Sequence, residues 1–475
     1  MNGCCGGQAS AAAVAPVNGS QPRAELLAVT ESVCPECLRR LPARRVARGE
    51  NVYLEKTCPQ HGFFSTVIWR GEPAFDSWVR PKLPASPSNP FTQVDQGCPF
   101  DCGLCPDHHQ QPCCVLLDVT QRCDLACSFC FASAGRPTQA ADPCLDSIEG
   151  WYRRLLDAGG PFNIQLSGGE PCLRDDLPEI IALGKSLGFT FFHVNTNGLR
   201  LARDPAYLKK LKEAGLCTVF LQFDGTNDEI YRQLRGAKLY SQKLRAIENC
   251  ARLGLGAVLV PTLVPGVNTQ NIGEIIRLGL EYAPTVRGVH FQPVSYLGRY
   301  PQVPSDCDRI TIPEVICAIE DQTHQLVRRE NFRPPGGENA LCSFHANFVN
   351  MPDGTLIPLT HHDSDRNDCC QPERAGEGSV KSRLQTARQW SAPQAGEETG
   401  SVANGGSLGG WDDLLARART HLFAISGMAF QDAWNLDLER LRDCYIMHVS
   451  HTGGLVPFCA YNLTDRQGRT LYRGA

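Results

Sequence analysis

The sequence predicts an α/β fold: a parallel barrel or part-barrel, preceded by a metal-binding ribbon and followed by a cysteine-bearing C-terminal region. Three observations predict it. Strand-like runs alternate with helix-like runs from residue 115 to residue 294. CPEC (34–37) and CPQHG (58–62) flank a short alternating strand, ENVYLEKTC. Cysteines recur in closely spaced groups before, inside and after the barrel.

Composition narrows the class. A chain of 475 residues has room for about three domains. Its 46 Lys+Arg and 50 Asp+Glu leave a formal charge of −4, which gives no basic footprint for nucleic acid and no polycationic membrane surface. A hydrophobic share of 42 % belongs to a globular chain rather than a disordered one. The start, MNGCCGGQASAAAVAP, lacks a basic region followed by an apolar one. The longest apolar run, LGLGAVLVPTLVPG (253–266), is interrupted by Pro261 and Pro265, so no transmembrane segment is expected. In a cytoplasmic protein thiols stay reduced, and 24 cysteines there point to metal or redox chemistry rather than disulfides.

The elements follow in order. Residues 1–24 are small and polar and read as a flexible tail carrying Cys4-Cys5. Residues 25–95 read as a rubredoxin- or zinc-ribbon-like metal domain. Its Cys34-x2-Cys37-x20-Cys58-x2-His61 spacing suits mononuclear iron or zinc. Residues 96–114 form a cysteine-rich segment, with Cys98-x3-Cys102-x2-Cys105. Residues 115–340 carry the barrel. Its strands are VLLDVT (115–120), FNIQLSG (162–168), FTFFHVNT (189–196), CTVFLQFD (217–224), GAVLVPTL (256–263) and GVHFQPV (288–294). DLPEIIALGKSLG, DPAYLKKLKEAG and NIGEIIRLGLEYA between them repeat apolar residues at helical spacing. Residues 341–370 and 411–475 form a C-terminal region. In it MPDGTLIPLT (351–360) and SHTGGLVPFC (450–459) echo each other as two related hairpins packed together. The Gly-, Ser- and Gln-rich stretch 371–410 reads as a flexible insertion.

The strongest chemical signal is Cys123-x3-Cys127-x2-Cys130, three residues after the first barrel strand. A loop there lies at the C-terminal face, where barrel active sites sit. Three thiolates can hold three irons of a [4Fe–4S] cluster and leave the fourth open. Ser167-Gly168-Gly169-Glu170-Pro171 follows the second strand, and polar groups end the third and fourth. In this order the motifs strongly resemble the radical S-adenosylmethionine (SAM) superfamily, which implies a partial (β/α)6 barrel. In that family the open iron chelates SAM, and reductive cleavage yields a 5′-deoxyadenosyl radical. The resemblance assigns Phe129, Ser167, Gly168, Gly169, Glu170, Asn197, Gln222 and Asp224 to cofactor binding, with Glu170 or backbone carbonyls taking the methionyl ammonium. Val260 to Leu263 would line the adenine.

Cys98, Cys102 and Cys105 repeat the spacing without a preceding strand or a Gly-Gly-Glu downstream, so they read as ligands of an auxiliary [4Fe–4S] cluster. Cys342, Cys444 and Cys459 on the two hairpins read as a second set, with Cys369 or Cys370 as a fourth ligand. Cys144, Cys172, Cys217, Cys250 and Cys317 read as small core residues. His345 and His361-His362 are weighed as substrate-facing groups against the commoner structural role of a lone histidine.

The ribbon, GCPFDCGLCP, DVTQRCDLACSFCFA and the PFCAYN ending resemble one branch of the superfamily. That branch contains archaeal tetraether lipid synthase, pterin-methylating radical SAM proteins and the TrsS-type radical SAM (seleno)proteins. The resemblance implies hydrogen abstraction from an unactivated carbon, with C–C bond formation or one-carbon transfer on a lipid, a pterin or another small molecule. It also implies an electron donor such as flavodoxin or ferredoxin, and a methyltransferase partner from the same cassette. The alternatives are a radical SAM enzyme modifying a peptide or protein, and a non-enzymatic Fe–S or zinc scaffold.

Overall fold

The computed structural model describes residues 24–87, 89–135, 141–362, 372–393 and 410–474. Cys4, Cys5, Cys369 and Cys370 lie outside them. Four antiparallel strands make the ribbon: β1 (Glu25–Val33), β2 (Arg40–Arg48), β3 (Asn51–Cys58) and β4 (Gly62–Arg70). Cys34 and Cys37 stand in the β1–β2 turn, Cys58 ends β3, and His61 stands in the β3–β4 turn. A short strand, β5 (Lys82–Leu83), follows.

The barrel strands are β6 (Cys114–Thr120), β7 (Asn163–Gly168), β8 (Phe192–Thr196), β9 (Thr218–Gln222), β10 (Gly256–Val260) and β12 (Val286–Pro293). Pro261 separates β10 from the two-residue β11 (Thr262–Leu263), which pairs with β12. All six main strands run parallel. Helices cover the outer face because pairs one turn apart, Leu177/Ile181, Leu208/Leu211, Ala246/Cys250 and Ile272/Ile276, are buried in the core shared with the strands. Local signals set their ends: Asn227 accepts the amides of Glu229 and Ile230, and Gly236 closes the same helix in the left-handed conformation.

The C-terminal region is not a separate body. β13 (Ser343–Asn350) and β14 (Leu356–Pro358) form one hairpin. β15 (Glu373–Arg374) pairs with β5, and β16 (Leu422–Met428) lies between β12 and β13. β17 (Ile446–Val449) and β18 (Leu455–Pro457) form the other hairpin, with β17 parallel to β6. Both echoing segments are therefore hairpins, but they end opposite edges of one sheet rather than pairing with each other. The sheet leaves a seam between those edges. Across it Gly337 lies flat on Tyr445, where a Cβ would meet the ring at 2.5 Å.

The stretch 371–410 differs from the expected flexible insertion. Ala375–Trp390 is a helix beneath the barrel. It is polar because its partners are the N-terminal ends of the strands. Pro112 O accepts from Ser379 at 3.1 Å, and Arg383 O from Asn163 at 3.0 Å. Gln389 O accepts from Arg287 at 3.0 Å, and Trp390 O from Thr218 at 2.7 Å. Among the cysteines expected in the core, Cys172 and Cys250 are buried, Cys217 and Cys317 half-buried and Cys144 exposed.

Candidate active site

The loop after β6 carries Cys123, Cys127 and Cys130. The segment after β12 holds it in place. Cys130 and Arg299 exchange backbone hydrogen bonds of 2.8 and 2.9 Å. The Arg299 guanidinium donates to Cys127 O at 2.9 Å and Ala134 O at 3.0 Å. Burial pushes the Cys123 thiol up to about 12.

Gly168 and Gly169 bring the end of β7 onto this loop. Gly168 has φ +119°, and a Cβ on it would lie 2.1 Å from Thr120 O. A Cβ on Gly169 would lie 2.1 Å from Arg122 O. The amides of Gly169 and Glu170 donate to those carbonyls at 2.7 and 2.8 Å. The close approach these glycines permit is thus to the cysteine loop. Glu170 fastens a third segment: its Oε1 accepts from Cys172 N and Thr196 Oγ1, and its Oε2 from Asn197 N. Burial raises the Glu170 pKa while these donors pull it down. Asn197 in turn donates to Asp124 at 2.7 Å and accepts from Leu199 N.

Asp224, expected at the cofactor, is paired with an arginine. It is fully buried, and both carboxylate oxygens meet the Arg235 guanidinium at 2.6 and 2.7 Å. Thr262 N donates to the same carboxylate. Asp224 therefore anchors the chain after β9 to a helix, and Arg235 reaches Phe129 O at 3.4 Å. Gln222 accepts from the buried Lys243 ammonium at 3.1 Å, and Lys243 also reaches Asn197 O at 2.6 Å. Burial lowers the Lys243 pKa to about 8. Ser167 Oγ is buried beside the Gly-Gly turn and has no hydrogen-bond partner.

A cavity of about 350 Å³ runs from Phe129 and Cys130 down to Trp390. Its polar lining combines the neutral Gln165, His193, Asn195, His290 and Gln292 with the charged Arg80, Glu338 and Lys381. Burial lowers His193 to about 3 and His290 to about 4, so both imidazoles are uncharged near neutral pH. The reading by motif missed these residues. Their one signal is alternation, as in His193/Asn195 and His290/Gln292, which points them to one face of their strands. His345 also lines the cavity, whereas His362 packs at a tilt against Trp78, and neither His361 nor His362 lines it.

The other cysteines expected to bind metal fall into three groups. Cys34, Cys37, Cys58 and His61 bring four donor atoms within 4.8 Å of one another, which suits a mononuclear metal. Cys98, Cys102 and Cys105 line one small recess with Leu441 and Pro457. Tyr472 braces their loop: its hydroxyl accepts from Cys102 N at 2.9 Å and donates to Pro99 O at 2.7 Å. Cys444 is raised well above the ordinary thiol range by burial and then by neighbouring Cys459 and Cys342. Phe458, next to Cys459, meets Phe131, next to Cys130, with ring centroids 5.4 Å apart.

A three-cysteine loop on a partial parallel barrel, beside a Gly-Gly-Glu turn, defines a radical SAM enzyme. The radical SAM superfamily model matches residues 117–279, and the model of the HMPTM N-terminal zinc ribbon domain matches residues 26–70. The chain is 34 % identical to the 7,8-dihydro-6-hydroxymethylpterin dimethyltransferase of Methanocaldococcus jannaschii. That alignment covers 92 % of this chain and 94 % of that protein. This protein belongs to that family of radical SAM enzymes, whose cofactors are a [4Fe–4S] cluster and SAM. It is also similar to the GTP 3′,8-cyclase of Alkaliphilus oremlandii, 30 % identical over 56 % of this chain and 78 % of that one. Among solved structures, the FeFe-hydrogenase maturase HydG from Carboxydothermus hydrogenoformans aligns with a TM-score of 0.37. It is 15 % identical and covers 46 % of this chain and 53 % of that one. No helix among the described residues is long and apolar enough to cross a membrane.

Proposed function

We propose that this enzyme transfers one-carbon units to carbon atoms of a reduced pterin. The observation that carries the reading is the end-to-end likeness to a pterin dimethyltransferase, ribbon included. The cavity supports it, because neutral amides and imidazoles between aromatic walls match a flat, polar heterocycle better than an acyl chain.

In this reading Cys123, Cys127 and Cys130 hold the catalytic cluster. With SAM bound, the reduced cluster supplies a 5′-deoxyadenosyl radical. The chain's own residues bind, orient and shield. Ser167 Oγ, Gln222 and the backbone of Gly168 and Gly169 receive SAM. Glu170 and Asn197 fasten the loops around it, and Phe129 separates SAM from the substrate cavity. The closed barrel floor keeps water from a reactive primary radical. Cys98, Cys102 and Cys105, and Cys342, Cys444 and Cys459, hold auxiliary [4Fe–4S] clusters. A flavodoxin or ferredoxin in the cytoplasm delivers electrons, and a methyltransferase of the same cassette is a partner.

The test is product analysis. Anaerobically reconstituted enzyme is given SAM and dithionite, with 6-hydroxymethyl-7,8-dihydropterin, an acyl lipid or a peptide mixture. Mass spectrometry should find methylated pterin and no change in the other two. Modification of lipid or peptide with the pterin untouched would overturn the proposal.

A further inference from the structure

One buried group in the cavity has no role in the account above. Glu338 lies on the seam of the sheet, in the segment leading into β13, and only 2 % of it is exposed. It borders the cavity. Its Oε1 accepts from the Ser343 hydroxyl. Its Oε2 is buried and has no hydrogen-bond partner.

The ammonium and amide donors nearest to it point elsewhere. The Lys82 ammonium and the Gln110 amide both donate to Gly337 O, at 3.0 and 2.6 Å. Asn339 donates to Asp443 at 2.9 Å. Tyr445 packs beside Glu338, its hydroxyl raised well above the ordinary range by burial, then by the Glu338 charge, and further by a hydrogen bond to that side chain. Leaving a buried carboxylate oxygen without a donor is costly, because water is lost and nothing replaces it. A cavity that keeps such an oxygen is suited to a ligand that brings N–H groups to it.

The other lining groups narrow the ligand. Gln165, Asn195 and Gln292 each offer both a donor and an acceptor, and His193 and His290 are neutral. That set, with Arg80 and Lys381 also bordering the cavity, suits a polar heterocycle with N–H, amino and carbonyl groups in one plane. A carboxylate presents two acceptors side by side, which matches a ring N–H next to an exocyclic amino group.

We propose that Glu338 is the specificity-determining residue of the substrate site: it grips the 2-amino-4-oxopyrimidine edge and selects 2-amino over 2-oxo heterocycles. This rests on the pterin reading and deepens it. A 2-oxo ring would turn a carbonyl oxygen towards the carboxylate, and two acceptors repel. Glu338→Gln replaces one acceptor with an amide donor of the same shape, so it should weaken the first ligand and accommodate the second.

The experiment measures equilibrium binding to the anaerobic holoenzyme, for the parent and E338Q. The probes are two pairs differing at that edge: pterin against lumazine, and guanine against xanthine. The parent should bind the 2-amino member at least roughly tenfold tighter, as loss of a buried charged hydrogen bond implies. E338Q, with iron content and circular dichroism unchanged, should reduce or reverse that ratio. An unchanged ratio in E338Q overturns the proposal. If E338Q does not fold, the parent decides alone, because equal affinity for both members of a pair also overturns it. Glu338-dependent selection of guanine without pterin binding would leave this proposal standing and remove the pterin reading. Binding of none of the four probes would remove both.

Discussion

Asp224 and Arg235 form a fully desolvated pair at the level of single residues, with side-chain exposures of 0 and 6 %. Breaking such a pair leaves a buried charge, which costs about 3–5 kcal/mol. Asp224→Asn should lower the unfolding midpoint by a corresponding amount in urea titration; an unchanged midpoint would return Asp224 to the ligand. In the sequence, a carboxylate ending a barrel strand looks the same whether it faces a nucleoside or an arginine eleven positions on. Lys243 was equally silent, as a lysine on a helix is ordinarily exposed. Its folded pKa of about 8 lies below the ordinary 10.5, so between those values the unfolded chain binds more protons. Stability should therefore rise with pH from about 8 to about 10.5, and the penalty is fully present below pH 8. In urea midpoints measured across that window, the slope should flatten in Lys243→Met; an equal slope in both proteins would contradict the assignment.

Spacing made the ribbon, the barrel strands and the cysteine loops legible, because metal geometry and strand alternation each impose a period on the chain. Among the elements, the helix Ala375–Trp390 was not legible. It lacks a broad apolar stripe, since its partners are backbone and polar groups at the strand ends rather than a core. Trp390 is its contribution to the cavity floor, 4.7 Å from Phe220 and 6.1 Å from both His193 and His290 between ring centroids. Trp390→Ala should cost about 3 kcal/mol, the low end for a large aromatic because the ring is half-buried. It should also raise the KM for the pterin roughly tenfold while SAM affinity holds, as one lost wall of a pocket implies. Steady-state kinetics with both substrates varied checks this; equal loss for SAM would place the helix elsewhere in the chemistry.

The whole molecule is built by its C-terminal region as much as by its barrel. That region adds β16 and β17 to the parallel strands and holds the ribbon against the body. Arg45 meets Asp437 at 2.7 Å, Lys56 meets Ala433 O at 2.8 Å and Arg466 meets Glu36 at 2.9 Å. The sequence announced the ribbon and the tail separately, but long-range docking leaves no local period to read. Phe131 and Phe458 join the loop of Cys130 to the turn of Cys459. The central claim is that Cys123, Cys127 and Cys130 form the centre at which SAM is cleaved, with a reduced pterin as the substrate. The most direct measurement is the 5′-deoxyadenosine yield of anaerobically reconstituted protein with SAM and dithionite, with and without 6-hydroxymethyl-7,8-dihydropterin, beside the Cys123→Ala variant. The account predicts a yield that the pterin raises and the variant abolishes. A yield that survives in Cys123→Ala, or none from fully reconstituted protein with the pterin present, would contradict it.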